Sequence, residues 1–301
     1  MRLTRFNLRR NYADLDKAIE GLEDVDNGTP DSHRGMPVWL NNLGIALDTR
    51  FKRLGNEADL DRAISVQHPA LPTRLNNLAS LLQSRHEQTG KEDDIVEATS
   101  LLKRCFEIIP EGHPNIQQCL NTRGDNFRLR HERNPNIADI NEAINFYQQA
   151  VDVRPSRDRR ILALSLANLG CSYYHRFNLE GSREDIDISI TTQQQGIDVA
   201  PAKHPDIHRW LNKTSDSFLL RFQRLGNILD LQSAITNQQD AVNVTPAPDN
   251  EAMAGQLKNL AVLFYYRFDR TGSLVDINQA ILAEENAASL ITSADKTYFC
   301  I

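Results

Sequence analysis

The chain has 301 residues, 40% hydrophobic and 25% charged, with a formal net charge of -6. That composition excludes bulk disorder, and the length alone sets a prior of about two domains. The acidic balance argues against a binder of nucleic-acid phosphates, which would carry a basic stripe.

The first ten residues hold Arg2, Arg5, Arg9 and Arg10 and no apolar run, so they do not read as a secretory signal. The pair Arg5-Phe6 is the first instance of a word that returns along the whole chain. Arg50-Phe51, Arg85-His86, Arg130-His131, Arg176-Phe177, Arg221-Phe222 and Arg267-Phe268 follow at intervals of 45, 35, 45, 46, 45 and 46 residues. Fixed-period self-similarity marks a repeat architecture and takes precedence over a domain count. With the Arg as zero, Leu stands ten residues earlier (Leu40, Leu75, Leu120, Leu166, Leu211, Leu257). A small residue stands six earlier (Gly44, Ala79, Gly124, Gly170, Ser215, Ala261). A large apolar residue stands three earlier (Leu47, Leu82, Phe127, Tyr173, Phe218, Phe264). Asp follows nine later in all seven copies, from Asp14 to Asp276, and a small residue thirteen later, from Ala18 to Ala280.

These spacings predict two helices per repeat. Apolar residues at minus ten, minus seven and minus three share one face of a first helix, A, and the small residue at minus six admits a close neighbour. Gly55, Gly90, Gly181, Gly226 and Gly272, five after the Arg, suit a left-handed helix end. The Asp then reads as the N-cap of a second helix, B. Pro30, Pro110, Pro155, Pro201 and Pro246 stop helix B. The predicted units are a half repeat at 1–35, repeats at about 36–68, 69–114, 115–159, 160–205, 206–250 and 251–292, and a tail at 293–301. The repeat at 36–68 lacks about ten residues of helix B, which predicts a shortened helix and a local break in stacking. The last helix is expected to reach Ala287.

The columns resemble the tetratricopeptide repeat. Leu40, Leu43, Gly44 and Leu47 match its helix A positions, and Ala143, Tyr147, Ala150 and Pro155 its helix B positions. The departure is length, 45 or 46 residues against the usual 34. The phrase Leu-Asn-Asn-Leu and the His-Pro loops resemble kinesin light chain repeats. Arg50 to Ile64 and Arg221 to Ile235 resemble fungal tetratricopeptide arrays that precede a caspase-like CHAT domain. The resemblance implies an all-α fold, an α-α solenoid wound as a right-handed superhelix of antiparallel helix hairpins, as one array over 1–301.

It also implies a protein-interaction scaffold that takes a peptide or partner protein in a concave groove lined by the A helices, with no catalysis of its own. The alternative is the N-terminal sensor arm, or a fragment, of a larger CHAT-type protease. The groove positions lie nine and eight residues before the Arg. They supply Asn41, Asn76, Asn121, Asn168, Asn212 and Asn259 as a ladder of amides able to pair with a peptide backbone. The same Asn residues could instead satisfy neighbouring helices. The Arg and Asp columns read as a pair closing each hairpin, with a basic rail for acidic peptides as the other reading.

Nucleotide-binding, nucleophile-elbow and metal-ligand motifs are missing from the sequence, so no enzyme activity, cofactor or metal is expected. His204 and His208 have helical metal-pair spacing but no evident third ligand. Cys171 and His175 share that spacing without a device to activate a thiolate. No apolar run reaches the roughly 18 residues of a membrane span. The four Cys form no Cys-x-x-Cys pair, which fits a reducing, cytoplasmic location. No polar capping unit is visible at either end, so a fragment of a longer array, or self-association through the end repeats, is expected.

Overall fold

The computed structural model describes residues 12–28, 36–54, 56, 58–59, 62–63, 72–109, 113, 115–153, 158–201, 204–246 and 250–297. Their regular structure is entirely helical. In chain order the helices are α1 (Tyr12–Gly28), α2 (Met36–Leu54), α3 (Pro72–Thr89), α4 (Glu92–Ile108), α5 (Ile116–Arg133) and α6 (Ile137–Asp152). They continue with α7 (Arg159–Glu180), α8 (Arg183–Val199), α9 (Ile207–Leu225), α10 (Ile228–Val244), α11 (Asn250–Thr271) and α12 (Leu274–Thr297). The all-α class and the helical-hairpin repeat are therefore as expected. The chain divides into two compact units, residues 1–146 and 147–301.

In the first unit, Leu15 and Ile19 of α1 meet Leu43, Ala46, Leu47 and Phe51 of α2, and Leu81 of α3 joins them. Leu78, Ala79 and Leu82 of α3 pack on Ala98 and Leu102 of α4. Leu75, Cys105 and Cys119 then join α3, α4 and α5. In the second unit, Phe177 of α7 packs with Ile186 and Ile190 of α8 and Leu220 of α9. Leu231, Ala234 and Ile235 of α10 pack with Leu260, Ala261, Leu263 and Phe264 of α11. Within each unit these hairpins bury apolar residues on their neighbours. A fully buried Leu or Ile of this kind contributes about 1.5–3 kcal/mol, so many small contacts replace one large core.

The small columns explain how closely the helices approach. The residue at plus thirteen is buried in all seven copies. Ser215, at minus six, donates its hydroxyl to the carbonyl of Ala234 at 2.9 Å. The turn glycines Gly90, Gly181, Gly226 and Gly272 have φ of 70°, 73°, 76° and 67°, the left-handed region only glycine adopts freely. Each donates its N–H to the carbonyl four residues back at 2.7 Å, which closes helix A. Gly55 lies outside the described residues.

Two expectations are corrected. The Asp column does not cap helix B. Lys91, Ser182 and Asn227 stand at the N-caps, and Asp94, Asp185 and Asp230 are third in their helices. Where a side chain caps, it is an Asn six after the Arg. Asn56, Asn136 and Asn227 accept from Ala58, Ala138 and Leu229 N–H at 3.1, 2.9 and 3.1 Å. The last helix runs past Ala287 to Thr297, because no Pro or Gly between 274 and 297 interrupts it.

The shortened helix B of the repeat at 36–68 falls mostly outside the described residues. Across that repeat the A helices nevertheless stack. Leu81 of α3 sits in the α1–α2 cluster, and Asn77 of α3 bonds Asn41 of α2.

Candidate functional site

The Arg column forms the frame on which the helix A faces are held. Arg50, Arg85, Arg176 and Arg221 each make a two-pronged bond to the Asp nine later, through Nε and one terminal nitrogen, at 2.6–3.1 Å. Arg130 reaches Asp139 at 3.1 Å and Arg267 reaches Asp276 at 2.6 Å. The Asp side chains are buried and the Arg mostly half-buried, so the geometry is that of a desolvated, charge-assisted fork. The bonds to Asp59 and Asp185 push the guanidinium pKa of Arg50 and Arg176 upward.

The residue at minus three completes the site. The guanidinium lies over the ring of Phe127 (Arg130, 5.4 Å), Tyr173 (Arg176, 5.0 Å), Phe218 (Arg221, 5.4 Å) and Phe264 (Arg267, 5.5 Å). The remaining terminal nitrogen bridges to the previous repeat. Arg50 reaches Asp16 at 3.2 Å, Arg221 reaches Asp187 at 2.6 Å and Arg267 reaches Gln232 at 2.6 Å. These partners stand two residues after the Asp of their own repeat, a column the sequence reading missed because its identity varies between Asp and Gln. The hairpin-closing role is thus the one seen, and these Arg are spent on structure. Other arginines between 128 and 160 are engaged too, and Arg159 donates to the Val199 carbonyl at 3.1 Å. Arg128 bonds Glu132 at 2.5 Å, Arg133 pairs with Glu92, and Arg160 pairs with Asp158 at 2.8 Å. Arg154 and Arg157 lie outside the described residues.

The Asn columns separate by repeat. Asn77 Nδ2 donates to Asn41 Oδ1 at 2.7 Å, and Asn259 Nδ2 donates to Asn212 Oδ1 at 2.7 Å. In both cases the Asn eight before the Arg meets the Asn nine before the Arg of the preceding helix A. Asn212 also donates to Asp216 at 3.4 Å. Asn41, Asn77 and Asn212 are half-buried and Asn259 is exposed. Asn76 and Asn121 lie instead in the interior, 2% and 3% exposed, and Asn168 is half-buried. The Asn76 side-chain Oδ1 has no hydrogen-bond partner among the described residues. So the six predicted residues do not form one uniform row. Neighbouring pairs carry the pattern in each unit.

Around Asn212 the helix A faces gather further polar groups. Lys213 Nζ lies 3.6 Å from the Asp216 carboxylate. Burial pushes the Asp216 pKa above the ordinary carboxylate value, with Lys213 opposing. Burial also raises Tyr174, with the charge of Asp216 adding to it. The paired residues His204 and His208 have separate roles. His204 stacks on Trp210 at 4.6 Å, whereas His208 is buried. No group of three or more His, Cys, Asp or Glu able to hold a metal occurs among the described residues. Cys171 Sγ lies 3.8 Å from Gln193 Nε2, and His175 stands edge-on to Tyr174. No helix among the described residues is long and apolar enough to cross a membrane.

No protein-family model and no curated protein matches the sequence. Solved structures do. A Podosopora anserina putative kinesin light chain with nearly identical TPR-like repeats is 16% identical, with a TM-score of 0.51, covering 74% of this chain and 97% of the other. A second structure of that protein, carrying a substitution, gives 15% identity and a TM-score of 0.53, over 75% and 98%. BtubC (BKLC) from P. vanneervenii is 12% identical, with a TM-score of 0.51, over 96% and 92%. Likeness at this identity shows the fold, a tetratricopeptide-like helical repeat array.

Proposed function

We propose that this chain is a non-catalytic protein-interaction scaffold, working in the cytoplasm, that takes an extended peptide segment of a partner protein on its helix A faces. The observation that carries this reading is the Asn–Asn pair between successive A helices, present at Asn41–Asn77 and again at Asn212–Asn259. Each amide has two donors and an acceptor with two lone pairs, and the pair bond uses one donor of one residue and one acceptor of the other. The bond fixes the amide plane and leaves further N–H and C=O groups to meet a peptide backbone. Preorganisation of this kind lowers the entropy lost on binding. Asp216, held beside Asn212 and Lys213, adds a polar contact at the same face.

The test is site-specific photo-crosslinking. A benzophenone side chain at Asn77 or Asn259 is expected to capture peptide segments of a partner, and one at Val96, exposed on a B helix, to capture none. Equal capture from all three positions would sink the reading.

A second reading, self-association, rests on the last hairpin. Ile235 of α10 is 1% exposed because α11 covers it, while Ile281, the same position of α12, is 52% exposed. With Val262, Tyr265 and Ala280 it lines an open groove of about 540 Å³. The occupant we assign is a helical hairpin of a second copy, continuing the repeat-on-repeat interface. Sedimentation of the full chain is expected to show concentration-dependent mass, abolished by Ile281→Glu. A mass unchanged over a hundredfold dilution overturns it.

A further inference from the structure

Arg123 breaks its column. Seven residues before the repeat Arg, the other copies have Leu43, Leu78, Leu169, Thr214 and Leu260. Its guanidinium carbon stands 4.9 Å from the ring centre of Phe106 and 4.5 Å from that of Phe146. Phe146 in turn stacks on Phe127, with centres 5.6 Å apart and planes 8° from parallel. Phe127 carries Arg130, which has Asp139 as its counter-ion. Arg123 is half-buried and makes no ion pair within 4 Å among the described residues. Burial depresses its pKa, and the charge of Glu142 acts against that only through space.

We propose that Arg123 is an oxyanion-binding site that takes a carboxylate or a phosphate group on the in-plane N–H edge of its guanidinium. The ring centres are only 6.2 Å apart, so the two rings cover one side of the cation and leave an N–H edge on the other for a ligand. That edge presents parallel N–H donors in the geometry a planar carboxylate or a phosphate accepts as a two-pronged bond. The rings hold the guanidinium in place and stabilise it modestly, but they supply no counter-charge. A partly desolvated cation without a counter-ion gains more from an arriving anion than a solvated or paired one. The paired Arg50, Arg85 and Arg221 have no such capacity, since each already holds a carboxylate. The site stands independently of any peptide on the Asn pairs.

The full chain is titrated with inorganic phosphate and, separately, with acetate, at matched ionic strength. The Nε–Hε resonance of Arg123 is followed, together with the thermal midpoint. Phosphate is expected to shift that resonance saturably and to raise the midpoint by about 2–4 °C once well above its dissociation constant. Acetate is expected to do the same more weakly, which assigns both oxyanion sources. Saturation by phosphate alone narrows the site to phosphate. Arg123→Leu, which restores the column residue, is expected to fold and to lose both effects. Arg123→Lys keeps the charge but loses the fork and is expected to weaken phosphate about tenfold. Glu142→Gln is expected to tighten it. An equal midpoint rise in Arg123→Leu, or a shift that never saturates, overturns the proposal and leaves Arg123 a ring-packing residue only.

Discussion

Arg221→Met is expected to cost the second unit about 3–5 kcal/mol. The guanidinium binds Asp230 through two nitrogens at 3.1 and 2.6 Å and Asp187 through the third at 2.6 Å. It also lies over Phe218. Met preserves the apolar contact with the ring and removes only the charge and the donors. Asp230 is 3% exposed, so its carboxylate is left desolvated and unpaired, and that penalty dominates over the lost bonds. A solvent-exposed pair would be worth less than about 1 kcal/mol, so the size of the effect separates the two readings of the Arg column. Urea unfolding followed by circular dichroism measures it. The double variant Arg221→Met/Asp230→Leu should recover much of the loss, because no buried charge remains. A single-variant loss below about 1 kcal/mol would mean that the fork is decoration and that hydrophobic stacking alone holds the hairpin.

That fork was legible in the sequence because it repeats. A spacing of nine residues between Arg and Asp, seen seven times, favours a contact between the end of helix A and the start of helix B over a basic rail. Its form was not legible. The capping role predicted for the Asp went instead to the Asn six after the Arg, because the third helical position faces the Arg while the N-cap faces the orphan N–H groups. The bridge to the previous repeat was hidden, since Asp16, Asp187 and Gln232 form a column only once helix packing brings them to the same guanidinium. The Asn columns show the same limit. Residue type and spacing placed Asn76 and Asn212 in one row, yet Asn76 is 2% exposed while Asn212 is half-buried. Adjacent helical positions differ by about 100° around the axis, so the residues eight and nine before the Arg face differently, and spacing alone does not say which of them is buried in a given repeat. The spacing treats minus seven as an apolar column and gives Arg123 no role, because its two rings come from different helices, α4 and α6, and only the fold joins them.

The largest loss is expected from Gly170→Leu, which should unfold the α7–α8 hairpin or cost well over about 3 kcal/mol. Gly170 sits six before Arg176, in the small column, on α7. A Cβ there would lie 2.5 Å from Gln193 Cγ, 2.9 Å from the Ser189 carbonyl oxygen and 3.1 Å from the Gln193 backbone nitrogen. The first of these could be relieved by a rotamer change. The other two belong to the backbone of α8 and cannot move without separating the helices. Gln193 has little freedom in any case, because it is 2% exposed and accepts the Ser217 hydroxyl at 3.0 Å. Even Gly170→Ala should therefore destabilise, against the usual gain of about 0.5–1 kcal/mol when Ala replaces Gly inside a helix. Gly255 of α11 provides the contrast, since a Cβ there meets nothing within 4 Å. Gly255→Ala is expected to stabilise by that ordinary amount. Thermal unfolding of the two Ala variants side by side decides the matter. If both raise the midpoint, the small column at minus six reflects helix surface composition; opposite signs establish it as the contact distance of the repeat.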